Sequence, residues 1–246
     1  MIELRDVHKR LDNHPVLDGV DLHVERGETM AVIGRSGSGK SVTLKHIVGL
    51  MRPDRGTVTV DGTDVTRLDG RALFQLRRKF GMLFQSGALL SWFSVFDNVA
   101  LPLREQTRKD EAEIERIVLD KLELLDMREH AQKMPADLSG GMRKRAGLAR
   151  AIVLDPEILL YDEPTSGLDP VMASRINHLV RHVQKQLGVT SVVVTHDMES
   201  AYQVADRIAM LYGGKIVEVG TPDEIRHSDD PVVRQFVNGT IEGPMD

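Results

Sequence analysis

The chain has 246 residues, 41% of them hydrophobic and 28% charged, which is typical of a folded globular protein rather than a disordered or fibrous one. It contains no cysteine, which excludes disulfide scaffolds, thiolate zinc sites and cysteine nucleophiles. Its net charge of −5 gives no overall basic field that would attract nucleic acid. No apolar run approaches the roughly 20 residues of a membrane-spanning helix, and the N-terminus has no signal-peptide core, so we expect any membrane role to require a partner.

The N-terminal region predicts a small antiparallel sheet. Apolar and polar residues alternate over 5–12, 18–24 and 57–61. Alternation with period two indicates strands with one buried and one exposed face, which is typical of an antiparallel sheet at the edge of a fold.

Four short apolar segments predict a second, buried sheet. They lie at 29–33, 158–161, 191–195 and 207–211, and each is bounded by glycine or polar residues. Continuous apolar runs of this length are typical of parallel strands covered by helices on both faces. Longer segments separate them, so the order of elements predicts an α/β fold with a mainly parallel sheet.

The stretch 89–150 predicts helices and no buried strand. Its clearest pattern, 111–129, carries an apolar stripe with helical spacing: Ile114, Ile117, Val118, Leu122 and Leu125. We therefore expect a helical subdomain, 89–150, inserted into an α/β core formed by 1–88 and 151–225, followed by a C-terminal tail, 226–246.

One segment matches the phosphate-binding motif G-x-x-x-x-G-K-[ST] between a predicted strand and a predicted helix. Its residues are Gly34, Arg35, Ser36, Gly37, Ser38, Gly39, Lys40 and Ser41, and Val42 follows in the helix. Glycines let backbone N–H groups turn toward phosphate oxygens, and the helix adds its positive dipole end. In this motif Lys40 reaches the β- and γ-phosphates and the Ser41 hydroxyl is a Mg²⁺ ligand. The full motif with its flanks disfavours an ordinary glycine-rich turn.

A second segment places two carboxylates, Asp162 and Glu163, after the apolar run 158–161. An acid at the tip of a buried strand is costly unless a cation or hydrogen-bond donors satisfy it. Asp162 suits a Mg²⁺ shell, and Glu163 is suited to orient and activate an attacking water. The alternative, solvated acids at a strand end, is disfavoured beside the phosphate-binding motif.

A third segment, Leu-Ser-Gly-Gly-Met at 138–142, opens a basic helix, where Ser139, Gly140 and Gly141 can present N–H groups to an anion. One phosphate site does not need two such cradles in one subunit, whereas two subunits facing head to tail would use both. Here the chain resembles the ATP-binding cassette (ABC) family over nearly all its length. The motifs stand in family order: Gln85 (Q-loop), 138–142 (signature), 166–169 (D-loop, ending in Asp169) and His196 (switch histidine).

The resemblance implies a RecA-like P-loop NTPase core with an antiparallel edge sheet and an inserted helical subdomain. It also implies an ATPase in which two copies sandwich two ATP molecules. The implied Mg²⁺ ligands are Ser41, Gln85 and Asp162, and Gln85 also senses a membrane partner. The implied catalytic residues are Glu163, Lys40 and His196, with His196 on the γ-phosphate and the water.

Two positions depart from the family pattern. Met142 stands at the fifth signature place, where glutamine is commoner, and Leu11 stands where most relatives stack an aromatic ring on adenine. Without that ring, adenine would rest on Leu11, Val16 and the plane of Arg10. We therefore expect only a small preference for ATP over GTP.

Three further segments, 40–50, 85–105 and 231–244, together with the Met142 signature, resemble the ATPases of Mla-type (MCE-linked) phospholipid transporters. The likeness implies phospholipid movement through an integral membrane permease for outer-membrane lipid homeostasis, at the cytoplasmic face of the bacterial inner membrane. The implied partners are a second ATPase subunit, an MCE-type substrate-binding subunit and a small STAS-type regulator. No nucleic acid is expected as a partner. An importer of polar amino acids or other small solutes, and a regulatory cell-division-type cassette, remain alternatives.

Three surfaces are left open by the sequence. In the apolar cluster at 89–96 and just after it we expect Val95, Phe96 and Val99 to be core, whereas Leu90 and Trp92 suit either the core or contact with a permease helix. The basic helix 143–150 suits a solvated face, with contact from Arg143 or Lys144 to the opposing nucleotide as the alternative. In Mla-type relatives the tail embraces the second subunit, so 226–246 is a candidate dimer contact with Phe236 as its anchor, although this tail is shorter than theirs.

Overall fold

A computed structural model describes residues 1–245 and divides the chain into two compact units. The first unit comprises Met1–Arg77 and Thr190–Asp246, and the second comprises Arg78–Val189. The predicted helical stretch, 89–150, lies inside the second unit.

The elements follow one another in chain order. The first part of unit one contains β1 (Ile2–Leu11), β2 (His14–Val24), β3 (Thr29–Ile33), α1 (Lys40–Ile47), β4 (Arg55–Val60), β5 (Thr63–Asp64) and α2 (Gly70–Arg77). Unit two contains β6 (Phe80–Leu83), α3 (Val95–Gln106), α4 (Glu111–Leu124), α5 (Gly140–Ile152), β7 (Ile158–Asp162) and α6 (Pro170–Leu187). The chain then returns to unit one with β8 (Thr190–Thr195), α7 (Met198–Val204), β9 (Arg207–Tyr212), β10 (Lys215–Gly220), α8 (Pro222–Arg226) and α9 (Pro231–Asn238).

The predicted antiparallel sheet is confirmed in unit one, with strand order β2-β1-β4-β5. Ile2 pairs with Val24 on one side and with Val60 on the other. Asp12 and Asn13, which join β1 to β2, have φ angles of 48° and 64°. Positive φ at both positions of a two-residue turn matches the twist of the flanking strands.

Unit one also contains three of the four buried strands that the apolar runs predicted, and the fourth, 158–161, lies in unit two. β3 pairs in parallel with β8 on one side and with β9 on the other, and β10 pairs antiparallel with β9. Every residue of β3 and β8 is buried, because helices cover these strands. The sequence did not predict β10, whose residues alternate between exposed and half-buried positions over most of its length.

Unit two combines the parallel pair β6 and β7 with helices α3 to α6. α5 packs on β6 so closely that a side chain at Gly81 would collide with the Ala151 carbonyl. The predicted helix 111–129 is too long, since α4 ends at Leu124. Asp126 has a left-handed φ of 53°, and the Met127 N–H turns back to donate to the Leu122 carbonyl oxygen at 2.8 Å.

The end of the chain folds back on unit one. The Gln235 side chain accepts a hydrogen bond from the Met245 N–H at 2.7 Å and donates to the Ile241 carbonyl at 3.1 Å. The Met245 side chain is 6% exposed and lies in the same apolar cluster as Ala31 and Ile33 of β3. Among the helices of residues 1–245, none is both long enough and apolar enough to cross a bilayer.

Candidate functional site

The phosphate-binding segment forms a tight loop between β3 and α1. Gly34 has a φ of 154°, and a Cβ there would collide with the Leu211 carbonyl oxygen. Gly39 has a φ of 103°, and a Cβ there would lie 2.8 Å from a methyl group of Leu17 and 3.1 Å from Val16. Both positions require glycine, because the backbone is left-handed and closely packed.

Lys40 lies inside this loop rather than on the surface. It is 6% exposed, and its Nζ donates to the carbonyl oxygens of Gly34 at 2.8 Å and Arg35 at 3.0 Å. A buried ammonium needs hydrogen-bond acceptors, and the loop supplies them from its own backbone. The lysine is thereby held at the N-terminus of α1, where its ammonium could also donate to a phosphate oxygen.

The first turn of α1 is suited to an anion. Its N-cap residue, Gly39, provides no side-chain hydrogen bond to the helix, and the first turn contains no acidic residue. Ser41 and Val42 are half-buried at the second and third helical positions, while the loop residues 35–37 are exposed. The positive end of the helix dipole is therefore open to phosphate oxygens.

Leu11, the predicted adenine contact, is 37% exposed at the end of β1. The Arg10 guanidinium, also considered for adenine, donates to the Asn13 carbonyl, and its backbone N–H donates to Asp54 at 2.7 Å. Val16 lies beside Gly39 of the loop. Leu11 and Val16 are thus aliphatic side chains on the two strands of the hairpin. The Arg10 guanidinium is held by the carbonyl oxygen of Asn13 in the turn between these strands.

His196 follows β8 at the same sheet edge as the phosphate-binding loop. Thr195 pairs with Ile33, the last residue of β3, so the two parallel strands end side by side. His196 is exposed, and the Asp197 N–H after it donates to Thr195 Oγ1 at 3.0 Å. The carboxyl edge of parallel strands is where ligands bind in α/β folds.

In unit two, Glu163 directly follows β7 and is buried in an unusual backbone conformation. Its φ is 49°, which is uncommon for a residue with a side chain. Its carbonyl oxygen accepts hydrogen bonds from Lys144 Nζ at 3.0 Å and from the Ser166 N–H at 3.2 Å. The loop after β7 is therefore anchored to α5 at this carbonyl.

Lys144 is a feature that the sequence did not reveal. It is 4% exposed, which contradicts the predicted solvated face, and its burial lowers the pKa of its ammonium to about 8. The negative charges of Glu163 and Asp162 oppose that shift and favour the charged form. The Lys144 side chain is buried because α5 packs against the loop that follows β7. The sequence around Lys144 therefore contains no local pattern that predicts its burial.

The Q-loop and the D-loop also meet in unit two. Gln85 is exposed after β6, and its Nε2 donates to Ser166 Oγ at 3.1 Å. Asp169 caps α6 by accepting hydrogen bonds from Val171 and Met172 at 3.0 Å. Gln85, Glu163 and Ser166 thus form one hydrogen-bonded group.

The signature residues lie at the N-terminus of α5. Ser139 is exposed and caps the helix by accepting a hydrogen bond from the Met142 N–H at 3.3 Å. A Cβ at Gly141 would lie 2.5 Å from the Met172 side chain, so glycine allows α6 to pack closely here. The first turn contains no acidic residue, which leaves this helix end suited to an anion from outside the unit.

The residues predicted to hold Mg²⁺ all offer oxygen atoms. Residues 1–245 contain no cluster of three or more His, Cys, Asp or Glu side chains able to hold a metal ion. The predicted ligands Ser41, Gln85 and Asp162 offer hydroxyl, amide and carboxylate oxygens. Mg²⁺ prefers such oxygens and completes its shell with water and substrate phosphates.

Comparisons with known proteins agree with these motifs. Residues 17–166 match the ABC transporter family. The chain is 44% identical to the probable ribonucleotide transport ATP-binding protein mkl of Mycobacterium leprae, over 99% of this chain and 70% of that protein. It is 41% identical to the intermembrane phospholipid transport system ATP-binding protein MlaF of Haemophilus influenzae, over 100% of this chain and 93% of that protein. The fold matches the dimeric ATP-binding cassette MJ0796 in a post-hydrolysis state bound to ADP and Pi, with a TM-score of 0.83, 33% identity, and coverage of 90% of this chain and 99% of that one.

Proposed function

The chain belongs to the ABC transporter family and is an ATPase, and from this premise we propose that it powers phospholipid movement through a membrane permease. The observation that carries the proposal is the likeness to MlaF, which extends along this whole chain rather than along the shared nucleotide-binding motifs alone. We propose that it acts at the cytoplasmic face of a bacterial inner membrane and serves outer-membrane lipid homeostasis. The likeness to a probable ribonucleotide transport protein makes ribonucleotide transport the second candidate.

We propose roles in ATP hydrolysis for Lys40, Ser41, Asp162 and Glu163 from their chemistry, and for Gln85 and His196 from the family resemblance. The N–H groups of the loop donate hydrogen bonds to the phosphate oxygens, and the ammonium of Lys40 offsets their negative charge. Glu163 accepts the proton of the attacking water or orients that water, and His196 contacts the γ-phosphate. Ser41, Gln85 and Asp162 would hold Mg²⁺, which supplies charge neutralisation at the phosphate oxygens.

We propose that two copies of the chain bind ATP between them. Ser139, Gly140 and Gly141 of one copy would complete the phosphate site formed by Lys40 of the other, and Asp169 would lie beside the same nucleotide. The N-terminus of α5 supports this role, because Ser139 is exposed there and the first turn contains no acidic residue to repel an anion from outside its own unit. The dimeric state of MJ0796 supports it as well.

The apolar segment before α3 supports docking of a permease. Trp92 is 69% exposed and meets Phe93 edge to face at 6.3 Å, whereas Val95 and Val99 are buried. Buried Asn98 fixes the segment, because its side chain accepts a hydrogen bond from the Leu90 N–H at 2.7 Å and donates to three carbonyl oxygens. An exposed aromatic on a rigid loop is a typical anchor for a partner's helix. An MCE-type subunit and a STAS-type regulator would complete the assembly.

The proposal is tested by purifying the full chain with its natural partners. A tagged Glu163→Gln variant, expressed from its own operon, is extracted in mild detergent, and bound proteins and small molecules are identified by mass spectrometry. Recovery of a multi-spanning permease, an MCE-type subunit and enriched phospholipid is the expected result. A permease with a periplasmic solute-binding protein, or with enriched ribonucleotide and no enriched lipid, would reject phospholipid transport. A complex without any permease would favour a regulatory role.

A matched pair of variants separates docking from nucleotide binding. Trp92→Ala is expected to lose the permease while still binding ATP, because it removes the exposed anchor only. Phe74→Ala removes another exposed aromatic, on α2, and is expected to retain the permease. Equal recovery of the permease with both variants would remove Trp92 from the docking surface.

A further inference from the structure

The structure contains a buried cation next to the proposed catalytic carboxylate. Lys144 lies on α5, five positions beyond Ser139, and its ammonium is directed into unit two rather than to solvent. Its Nζ donates to the carbonyl oxygen of Glu163 at 3.0 Å. Burying an ammonium is costly, and the lowered pKa of Lys144 reflects that cost.

The backbone of Glu163 is the feature that Lys144 stabilises. A φ of 49° places this residue in the left-handed region, which residues with a side chain rarely adopt. Conformations of this kind persist only when surrounding contacts hold them, and they occur often at active sites. The Glu163 carbonyl is held by Lys144 and by the Ser166 N–H, so these two donors fix the peptide that sets the direction of the Glu163 side chain.

The same contacts join three of the family motifs. Lys144 connects the signature helix to Glu163, Ser166 connects Glu163 to the D-loop, and Gln85 donates to the Ser166 hydroxyl. A shift of α5 when an anion binds at its N-terminus would therefore reach the Glu163 carbonyl through one side chain. The carboxylates of Asp162 and Glu163 also lie within the electrostatic range of the ammonium.

We propose that Lys144 is a positioning residue for ATP hydrolysis, which holds the Glu163 peptide in its left-handed conformation and ties that peptide to the signature helix. The inference rests on the proposed role of Glu163 but not on the identity of the transported molecule. Lys144 does not touch the nucleotide in this role, so its loss should slow turnover without weakening ATP binding.

The test compares Lys144→Met with Lys144→Arg in steady-state ATPase assays of the full chain, without lipid. We expect Lys144→Met to lower kcat at least about 10-fold with KM for ATP changed less than about twofold, because a misplaced catalytic group affects the chemical step. Lys144→Arg, which keeps a charged donor, is expected to recover part of kcat. Arg145→Met is the matched control on the same helix, since Arg145 donates to the carbonyls of Leu125 and Asp126, away from Glu163.

A second measurement separates positioning from a general loss of structure. In a Glu163→Gln background, Lys144→Met should lower the residual rate less than about twofold, because the group it positions is already absent. A full additional loss in that background, or a wild-type kcat in Lys144→Met, would overturn the proposal. Equal kcat values for Lys144→Met and Lys144→Arg would also overturn the proposal, as would a raised KM for ATP with an unchanged kcat. If Lys144→Met does not fold, the Arg variant in both backgrounds provides the same comparison.

Discussion

At the scale of single residues, the phosphate-binding loop is prepared for its ligand by contacts within unit one. Lys40 is held by the carbonyl oxygens of Gly34 and Arg35, so its position does not depend on bound phosphate. Groups fixed in advance stabilise charge without the cost of reorganising during the reaction. In unit two, the carbonyl oxygen of Glu163 is likewise held by a hydrogen bond from Lys144.

The aliphatic hairpin beside the loop leads to a prediction about nucleotide selectivity. Leu11 and Val16 can contact the face of either purine, but they offer no hydrogen bond that distinguishes adenine from guanine. We expect kcat/KM for ATP to exceed that for GTP by less than about 10-fold, since apolar contact alone discriminates weakly. Steady-state assays with both nucleotides measure this ratio. A preference of about 100-fold or more would show that polar groups read the base.

His46, on α1 after the phosphate-binding loop, leads to a prediction about acid stability. Burial lowers the pKa of His46, and its Nδ1–H donates to the Val42 carbonyl oxygen at 2.7 Å. Below about pH 6.5 the unfolded chain binds a proton at His46 that the folded chain does not bind, so the free energy of unfolding falls as the pH decreases toward the lowered folded pKa. Above about pH 6.5 the imidazole is neutral in both states, so this loss in the free energy of unfolding is absent.

The measurement is the free energy of unfolding of the wild-type chain and of His46→Asn between pH 7.5 and pH 5. We expect the difference between the two to shrink, or to reverse, as the pH decreases, because only the wild-type chain carries this buried imidazole. Parallel curves over the whole range would show that His46 is not the group responsible.

At the scale of elements, the sequence predicted what is encoded locally and missed what depends on distant contacts. The strands at 29–33, 191–195 and 207–211 were recognisable because each is an uninterrupted apolar run, and the phosphate-binding loop because glycines stand where positive φ is needed. The end of α4 was missed, since Asp126 adopts a left-handed conformation without being glycine. The inward direction of Lys144 was missed because it depends on how α5 packs in unit two.

The C-terminal tail is the element whose packing is most open to direct test. Met245 is buried in the cluster of β3, its N–H donates to Gln235, and its carbonyl accepts a hydrogen bond from Arg35 of the phosphate-binding loop. We expect Met245→Ala to lower the free energy of unfolding by about 1.5–3 kcal/mol, the range for burying such a side chain. Ile241 is 90% exposed, so Ile241→Ala should change stability by less than about 0.5 kcal/mol.

Chemical denaturation of the two variants decides between a packed and a loose tail. If both variants unfold at the wild-type denaturant concentration, Met245 is not part of the core of unit one. The predicted contact of the tail and Phe236 with a second subunit is a separate question. It is answered by whether the same variants still form the ATP-dependent dimer.

At the scale of the whole molecule, each chain has a phosphate-binding loop and a signature helix, two helix N-termini on different units whose first turns contain no acidic residue. In the proposed dimer, two copies meet with two-fold symmetry and each signature helix reaches the partner's nucleotide. The bound ATP then forms part of the interface. Dimerisation should therefore depend on nucleotide and on the signature helix.

The prediction is that Glu163→Gln forms a dimer with ATP and is a monomer without nucleotide, because ATP that is not hydrolysed keeps the interface complete. Adding Ser139→Arg to this variant places a bulky side chain at the N-terminus of α5 and should abolish the dimer while ATP binding to the monomer changes less than about threefold. Light scattering after size-exclusion chromatography measures the mass, and a fluorescent ATP analogue measures binding. Ser86→Arg, at an exposed position in the loop that follows β6, is the control for added bulk and charge and should leave the dimer intact. A dimer that survives Ser139→Arg would mean that the signature helix does not face the partner's nucleotide.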